Sequence, residues 1–410
     1  MNRFDWDFTA PRSTPMGDHD VPRDSEHLTN KRIALLVCGG IAAMKAPFVA
    51  RALRRRGADV VAFTSDEALR YVGREALEWA TNHPLVTSLT WRAEHLSDDR
   101  PFDAYLVAPA TYNTIAKAAC GIADTVVTSV LASALGRMRA GRTQVLIAPT
   151  MHGSMHHEIL VDNTRRLARL GVRVITPRDD YGKHNLPDDA VLVASVCRAV
   201  SDSALNQRRV LVTAEPTPVP LDSVKHITPL SRGQLGAAIA SELVLRGADT
   251  TLLLGESGWR AEPWLPVEVA CSYGEYQRLV LEHVKKGYDA GVFAANVTTH
   301  RPRARTTDAI SGDPSEVQRD LLPTENVIDL AKAAAPSLYV VSVEAPHGVT
   351  DDELLAGARA RLTYHPIVVA HRDDAPIAWI VTKDGHERVE SKTGIARALC
   401  NHLEQALPSR

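Results

Sequence analysis

The 410-residue chain sets 47 Lys and Arg against 49 Asp and Glu, a formal net charge of −2. That balance excludes a general nucleic-acid binder, which needs an excess of basic side chains to neutralise phosphates. A hydrophobic share of 45% supports real cores, and the length suits two or three domains.

Residues 1–30 are polar, rich in Asp, Arg and Pro, and lack the apolar stretch of a signal peptide. They read as a disordered tail. No later run is long enough to cross a membrane, so no membrane partner is expected. Cys38, Cys120, Cys197, Cys271 and Cys400 lie far apart without CxxC spacing. Reduced thiols in a cytoplasmic protein fit that pattern better than disulfides or a zinc cage.

From Lys31, short apolar runs alternate with amphipathic stretches. The runs predict strands at Ile33–Val37, Val60–Phe63, Tyr105–Ala108, Val145–Ala148 and Val172–Ile175. Between the first two, Ala46–Arg56 predicts a helix with Phe48, Val49 and Leu53 opposite its arginines. The pattern stops near residues 203–208 and restarts. Val210–Ala214, Thr250–Leu254, Ala290–Ala294, Tyr339–Val343 and Ile367–Ala370 form a second series, with Ala378–Thr382 as an antiparallel edge. The fold class is α/β, two Rossmann-like parallel-sheet domains at 31–203 and 208–410.

The carboxyl ends of such strands are where ligands bind. Cys38-Gly-Gly-Ile-Ala-Ala-Met-Lys45 follows the first strand and opens a helix, a glycine turn that lets a phosphate approach backbone N–H groups. Thr64-Ser65 ends the second strand with hydroxyls. Ala108-Pro-Ala-Thr-Tyr-Asn-Thr114 ends the third, and Asn113 is expected to cap the helix that follows.

Gly39–Lys45, Ser65, Pro109-Ala-Thr-Tyr-Asn-Thr-Ile-Ala-Lys117, Gly121-Ile-Ala-Asp124 and Pro149-Thr-Met151 stand in an order that resembles one family, the FMN-dependent cysteine decarboxylases. These include phosphopantothenoylcysteine decarboxylase and the peptidyl-cysteine decarboxylases of lantibiotic pathways. The second half resembles phosphopantothenate–cysteine ligase, so the whole chain resembles the bifunctional bacterial enzyme of coenzyme A synthesis. The resemblance implies a flavodoxin-like first domain that binds FMN through Gly40, Ile41, Ala42, Ser65, Pro109, Thr111, Asn113, Thr114 and Met151. It implies a small thiol carboxylate as substrate and His95, ahead of the Pro109 turn, as general base or proton shuttle. It also implies a homo-oligomer, with trimers through the first domain and dimer contacts through the second. His95 would then be completed by a neighbouring subunit.

Two departures shape the expected chemistry. The family's Pro-x-Met-Asn-x-x-Met-Trp reads Pro149-Thr-Met-His-Gly-Ser-Met-His156, so His152 takes the place of an Asn that helps bind the substrate carboxylate. A protonated His152 would hold a carboxylate by a charge-assisted hydrogen bond, and a neutral one would serve as a second acid or base. His152, His156 and His157 also have i,i+4 metal spacing, but no cysteine or acidic cluster completes a metal set, and none is assigned. The substrate flap, Pro177–Pro187 with Tyr181, Lys183, His184 and Asn185, lacks the family's cysteine, so an unsaturated thiol product is expected.

The ligase motifs are eroded. Its Ala-Gly-Gly-Thr reads Ala214-Glu-Pro-Thr217, its motif Asn is Pro229, its Ala-Asp-x-Arg-Pro is Thr298-Thr-His-Arg-Pro302, its lysine segment is Ala309-Ile-Ser-Gly312, and its Ala-Asn-Asp is Ala370-His-Arg372. Ligation is not expected. The leading expectation is FMN-dependent oxidative decarboxylation of a cysteine-containing or related molecule, outside ordinary coenzyme A synthesis. The alternatives are another flavin redox step, a flavin-binding scaffold or regulator, or the bifunctional coenzyme A enzyme itself.

Overall fold

The computed structural model describes residues 8–96, 100–228, 232–256, 259–295, 297, 300–302, 321–372 and 377–407. The chain divides into two compact units, 1–196 and 197–410.

In the first unit a parallel sheet forms from β1 (Arg32–Val37), β2 (Asp59–Thr64), β3 (Ala104–Ala110) and β4 (Gln144–Pro149). A two-residue strand, β5 (Met151–His152), follows, and β6 (Arg173–Val174) closes the edge. The sheet order is β2-β1-β3-β4-β6, so the chain turns back at β1, and β1 and β3 flank a switch point. Ile33 to Val37 and all seven residues of β3 are buried. Burial on both faces is why these strands are continuous apolar runs. Of the expected strand Val172–Ile175, only Arg173 and Val174 pair.

The helices are α1 (Ala46–Arg55), α2 (Arg74–Thr81), α3 (Tyr112–Cys120), α4 (Val126–Arg139), α5 (Glu158–Arg169) and α6 (Asp189–Ala199). Along α1, Ala46, Val49, Ala50 and Leu53 form the buried stripe. Phe48, expected on that face, is 66% exposed instead, because helical spacing turns it nearly opposite the buried stripe. The stretch 24–28, inside the segment read as a disordered tail, packs on the end of α1. Asp24 N–H donates to Arg55 O (2.9 Å), Leu28 N–H to Arg56 O (2.8 Å), and the Leu28 side chain is fully buried. A hairpin of β7 (Arg178–Asp180) and β8 (Lys183–Asn185) extends β5 into a small antiparallel sheet.

The second unit has an eight-stranded sheet. Its order is Val267–Ala270, Asp249–Gly255, Arg209–Ala214, Ala290–Phe293, Tyr339–Glu344, Ile367–His371, Ile377–Thr382, Gly385–Glu390. The first six are parallel and the last two form an antiparallel hairpin. Ile377–Thr382 is therefore antiparallel, as expected, but Gly385–Glu390 covers it and supplies the edge. Pro229, Thr298, Thr299 and 309–312 lie outside the described residues.

Candidate functional site

At the switch point the turn after β1 is pressed against its neighbours. A Cβ on Gly39 would overlap Glu67, and one on Gly40 would lie 3.4 Å from Thr111 Cγ2. Gly40 leads into a short 3₁₀ turn, Ile41–Lys45, on which Ile41 is 70% exposed while Ala42 is half-buried. An exposed Ile beside a glycine turn is an apolar surface ready for a flat ring. Beneath it the buried Cys38 thiol is hydrogen-bonded to the Thr114 side chain and the Thr111 backbone. Burial dominates these bonds and pushes the thiol up to about 11. Cys38 is therefore a neutral packing group that ties the β1 turn to α3, not a nucleophile.

Thr111, not Asn113, caps α3. Its Oγ1 accepts from Thr114 N–H at 3.5 Å and lies 3.2 Å from Thr114 Oγ1. The cap stands two residues earlier than expected, which puts Asn113 in the first turn with its side chain exposed. Pro109 stays inside β3, in the buried strand end. Further on, Lys117 Nζ reaches Asp124 Oδ2 at 2.7 Å. That hydrogen bond holds the exposed Asp124 carboxyl below its ordinary value and fixes the 121–124 loop.

The end of β2 carries an unusual pair. Ser65 N–H donates to Val37 O (3.3 Å), tying β2 to β1. Yet the hydroxyls of Thr64 and Ser65 are both buried without a hydrogen-bond partner among the described residues. Buried hydroxyls are normally satisfied because leaving one unpaired is unfavourable by about 1–3 kcal/mol. Two adjacent ones at a ligand crevice fit the polar edge of a bound group. The glycine turn, the small hydroxyl residues and the exposed Ile41 together suit a flavin nucleotide, phosphate and ring.

Past β4, Thr150 N–H donates to Ala110 O (3.0 Å), and Met151 is buried. His152 caps the turn Gly153–Met155. Its Nδ1 accepts from Ser154 N–H (3.1 Å) and lies 2.8 Å from Ser154 Oγ. An accepting Nδ1 places the ring proton on Nε2, as assigned from this network. With Nδ1 engaged by Ser154, Nε2 is the ring nitrogen that remains for a ligand. The Tyr112 and His157 rings are 5.6 Å apart and connect this turn to the start of α3.

The segment expected to be a flap forms the β7–β8 hairpin, paired to β5 through Met151 with His184 and His152 with Lys183. Tyr181 and Gly182 form its two-residue turn with φ of 51° and 68°, both in the left-handed region that a type I′ hairpin requires. Tyr181 is 89% exposed at the tip. Asn185 is committed inward, donating from Nδ2 to Asp180 O at 3.1 Å. His184 is the junction of a chain invisible in the residue order. Its Nδ1 lies 2.5 Å from Asp179 Oδ1, and its Nε2 lies 2.7 Å from His156 Nδ1. Fixing the turn at Tyr181-Gly182 was the signal that makes Asp179 and His184 cross-strand partners. Among the described residues, no group of three or more His, Cys, Asp or Glu side chains is placed to hold a metal.

His95 lies in the connection between α2 and β3, in which Val86 pairs beside Phe63 of β2. Its ring is half-buried, and its Nδ1 is buried with no hydrogen-bond partner among the described residues.

Comparison with known proteins accounts for both units. Residues 22–201 match the Flavoprotein family, and 205–406 match the DNA/pantothenate metabolism flavoprotein C-terminal domain. The chain is 36% identical over 344 residues to the coenzyme A biosynthesis bifunctional protein CoaBC of Thermococcus kodakarensis, covering 82% of this chain and 84% of that one. It is 31% identical over 419 residues to CoaBC of Mycolicibacterium smegmatis, covering 93% and 99%. A solved structure of the FMN-dependent cysteine decarboxylase SpaF is 26% identical, with a TM-score of 0.37, and covers 42% of this chain and 99% of that one. No described helix is long and apolar enough to cross a membrane. The relatives correct the expectation of a role outside ordinary coenzyme A synthesis. It rested on altered motifs, but the full-length similarity runs to proteins named for that pathway. The chain belongs to the CoaBC family of bifunctional flavoproteins.

Proposed function

We propose that the chain is a cytoplasmic enzyme of coenzyme A biosynthesis whose first unit binds FMN and decarboxylates phosphopantothenoylcysteine. The observation that carries the reading is the pair of unpartnered buried hydroxyls, Thr64 and Ser65, beside the glycine turn at the switch point. Ser65, Gly40, Ile41 and Ala42 hold the cofactor from the β1 and β2 side. Pro109, Thr111, Asn113, Thr114 and Met151 hold it from the β3 and β4 side. FMN, when bound, supplies reversible oxidation of the substrate thiol, which makes the neighbouring carboxylate a leaving group.

The chain's own residues bind, orient and move protons. His152 offers Nε2–H to the substrate carboxylate, with its other nitrogen occupied by Ser154. His95 takes the thiol proton, and its unpartnered Nδ1 is free to be oriented by substrate or a neighbouring subunit. Tyr181, Lys183 and His184 close over the substrate as a flap, and Asn185 stiffens the hairpin. The exposed Ile41, Met44 and Phe48 beside the site fit burial in a trimer of first units, with dimer contacts through the second units. Coenzyme A ends in a saturated aminoethanethiol, so this reading replaces the unsaturated product with the saturated thiol.

In the second unit Glu215 is buried in the turn after Arg209–Ala214. A carboxylate there opposes a triphosphate by like-charge repulsion, so the unit is assigned to assembly rather than ligation. Incubating the FMN-loaded protein with phosphopantothenoylcysteine tests the reading: CO₂ release supports it, and an unchanged substrate sinks it.

A further inference from the structure

Asp179 and His156 have no part in the roles above, and His184 enters them only as a flap residue; the three form a chain across the flap and the turn that follows β4. Asp179 accepts from His184 Nδ1–H, which leaves His184 Nε2 as an acceptor for His156 Nδ1–H. Each contact fixes the proton position of the next ring. His156 is then held with Nδ1 as a donor, and its Nε2 is its only remaining acid–base atom. His184 is mostly covered, its side chain 18% exposed, whereas His156 is open to solvent. The two rings lie 4.9 Å apart by centroid. Asp179, itself 69% exposed, orients the His184 ring through this contact, and His184 in turn orients His156.

Decarboxylation of a cysteinyl carboxylate to a saturated thiol needs one proton overall. The bond between the α-carbon and the carboxylate breaks, CO₂ leaves, and the electron pair stays on the substrate. The α-carbon then forms a C–H bond with a proton, and no net oxidant or reductant is consumed. We propose that His156 is the donor of that proton, with His184 and Asp179 as positioning residues. In the step, imidazolium His156 loses its Nε2 proton to the substrate and becomes neutral. Its Nδ1–H remains donated to His184, and solvent restores the Nε2 proton. His95 and His156 thus divide the work, one taking the thiol proton and the other giving the carbon proton. The inference rests on the reading of the site as a decarboxylase and explains how a flap without a cysteine reaches a saturated product.

The test compares the full-length, FMN-loaded wild type with His156→Ala and Asp179→Asn on phosphopantothenoylcysteine. His156→Ala is expected to slow formation of the saturated thiol by about 100-fold, the usual scale for losing a general acid, and added imidazole is expected to restore much of it. Asp179→Asn is expected to slow the reaction less and to be insensitive to imidazole, since its donor ring remains. Nitrogen-15 spectra of the protein before substrate is added supply a readout independent of turnover. The strongly deshielded His184 Nδ1 proton should be present in the wild type and lost in Asp179→Asn. Undiminished turnover by His156→Ala, or a slowed variant that imidazole leaves unchanged, overturns the inference while the decarboxylase reading stands. No CO₂ from the wild type overturns both.

Discussion

Gly39 passes so close to Glu67 that a Cβ on the glycine would overlap the Glu67 side chain. The second residue of the 3₁₀ turn after β2, Asp66–Arg70, therefore sets the path of the turn after β1. Gly39→Ala must displace one of them, an overpacking expected to destabilise by about 1–3 kcal/mol. Gly40→Ala meets only Thr111 Cγ2 at ordinary contact distance and is expected to cost less. Denaturant midpoints and flavin titration of both variants check the order.

Thr64→Val removes a buried hydroxyl that has no partner in the described chain. Without flavin the variant is expected to be as stable as the wild type or more so, because an unsatisfied polar group is replaced by an apolar isostere. Flavin affinity is expected to fall by about tenfold, the scale of one lost hydrogen bond. Ser65→Ala is expected to show the same opposition of signs. Thermal melts with and without flavin, together with a binding titration, read both.

Cysteine reactivity separates packing groups from surface ones. Cys38, Cys197 and Cys400 are buried, whereas Cys120 and Cys271 are exposed. Burial raises the Cys38 thiol to about 11 and the Cys400 thiol well above its ordinary value. A hydrogen bond to Glu256 also raises Cys271. Two thiols are expected to react with a disulfide reagent in the native protein, Cys271 slowly, and the other three only on unfolding.

His365 gives the second unit a pH response. It is buried against Ser342 Oγ at 2.9 Å. Burial, and then the Arg361 charge, lower its pKa from its ordinary 6.5. The unfolded chain therefore binds the proton more readily, and stability is lost as pH falls below about 6.5 until the folded pKa is passed. His365→Asn is expected to flatten the dependence of the melting temperature on pH in that window.

Much of the fold was legible because parallel strands buried on both faces appear as apolar runs. Both units show this, and the switch-point turns follow directly from it. What escaped reading depended on choices between similar residues or on partners distant in sequence. Thr111 and Asn113 are both good caps, and only the helix start decides between them. Gly385–Glu390 was missed because an exposed edge strand has no apolar pattern to read, its charged side chains protecting the open edge. Leu28 gave no signal inside a polar segment. His152 stood out by its position in the motif, but its hydrogen bond to Ser154 is a property of the folded turn. The Asp179–His184–His156 chain needed the hairpin register before its members became neighbours.

The most direct measurement is mass analysis of phosphopantothenoylcysteine after anaerobic incubation with the FMN-loaded protein. The account predicts a saturated thiol that has lost one CO₂ and gained one proton. Unaltered substrate, with FMN demonstrably bound, would contradict it.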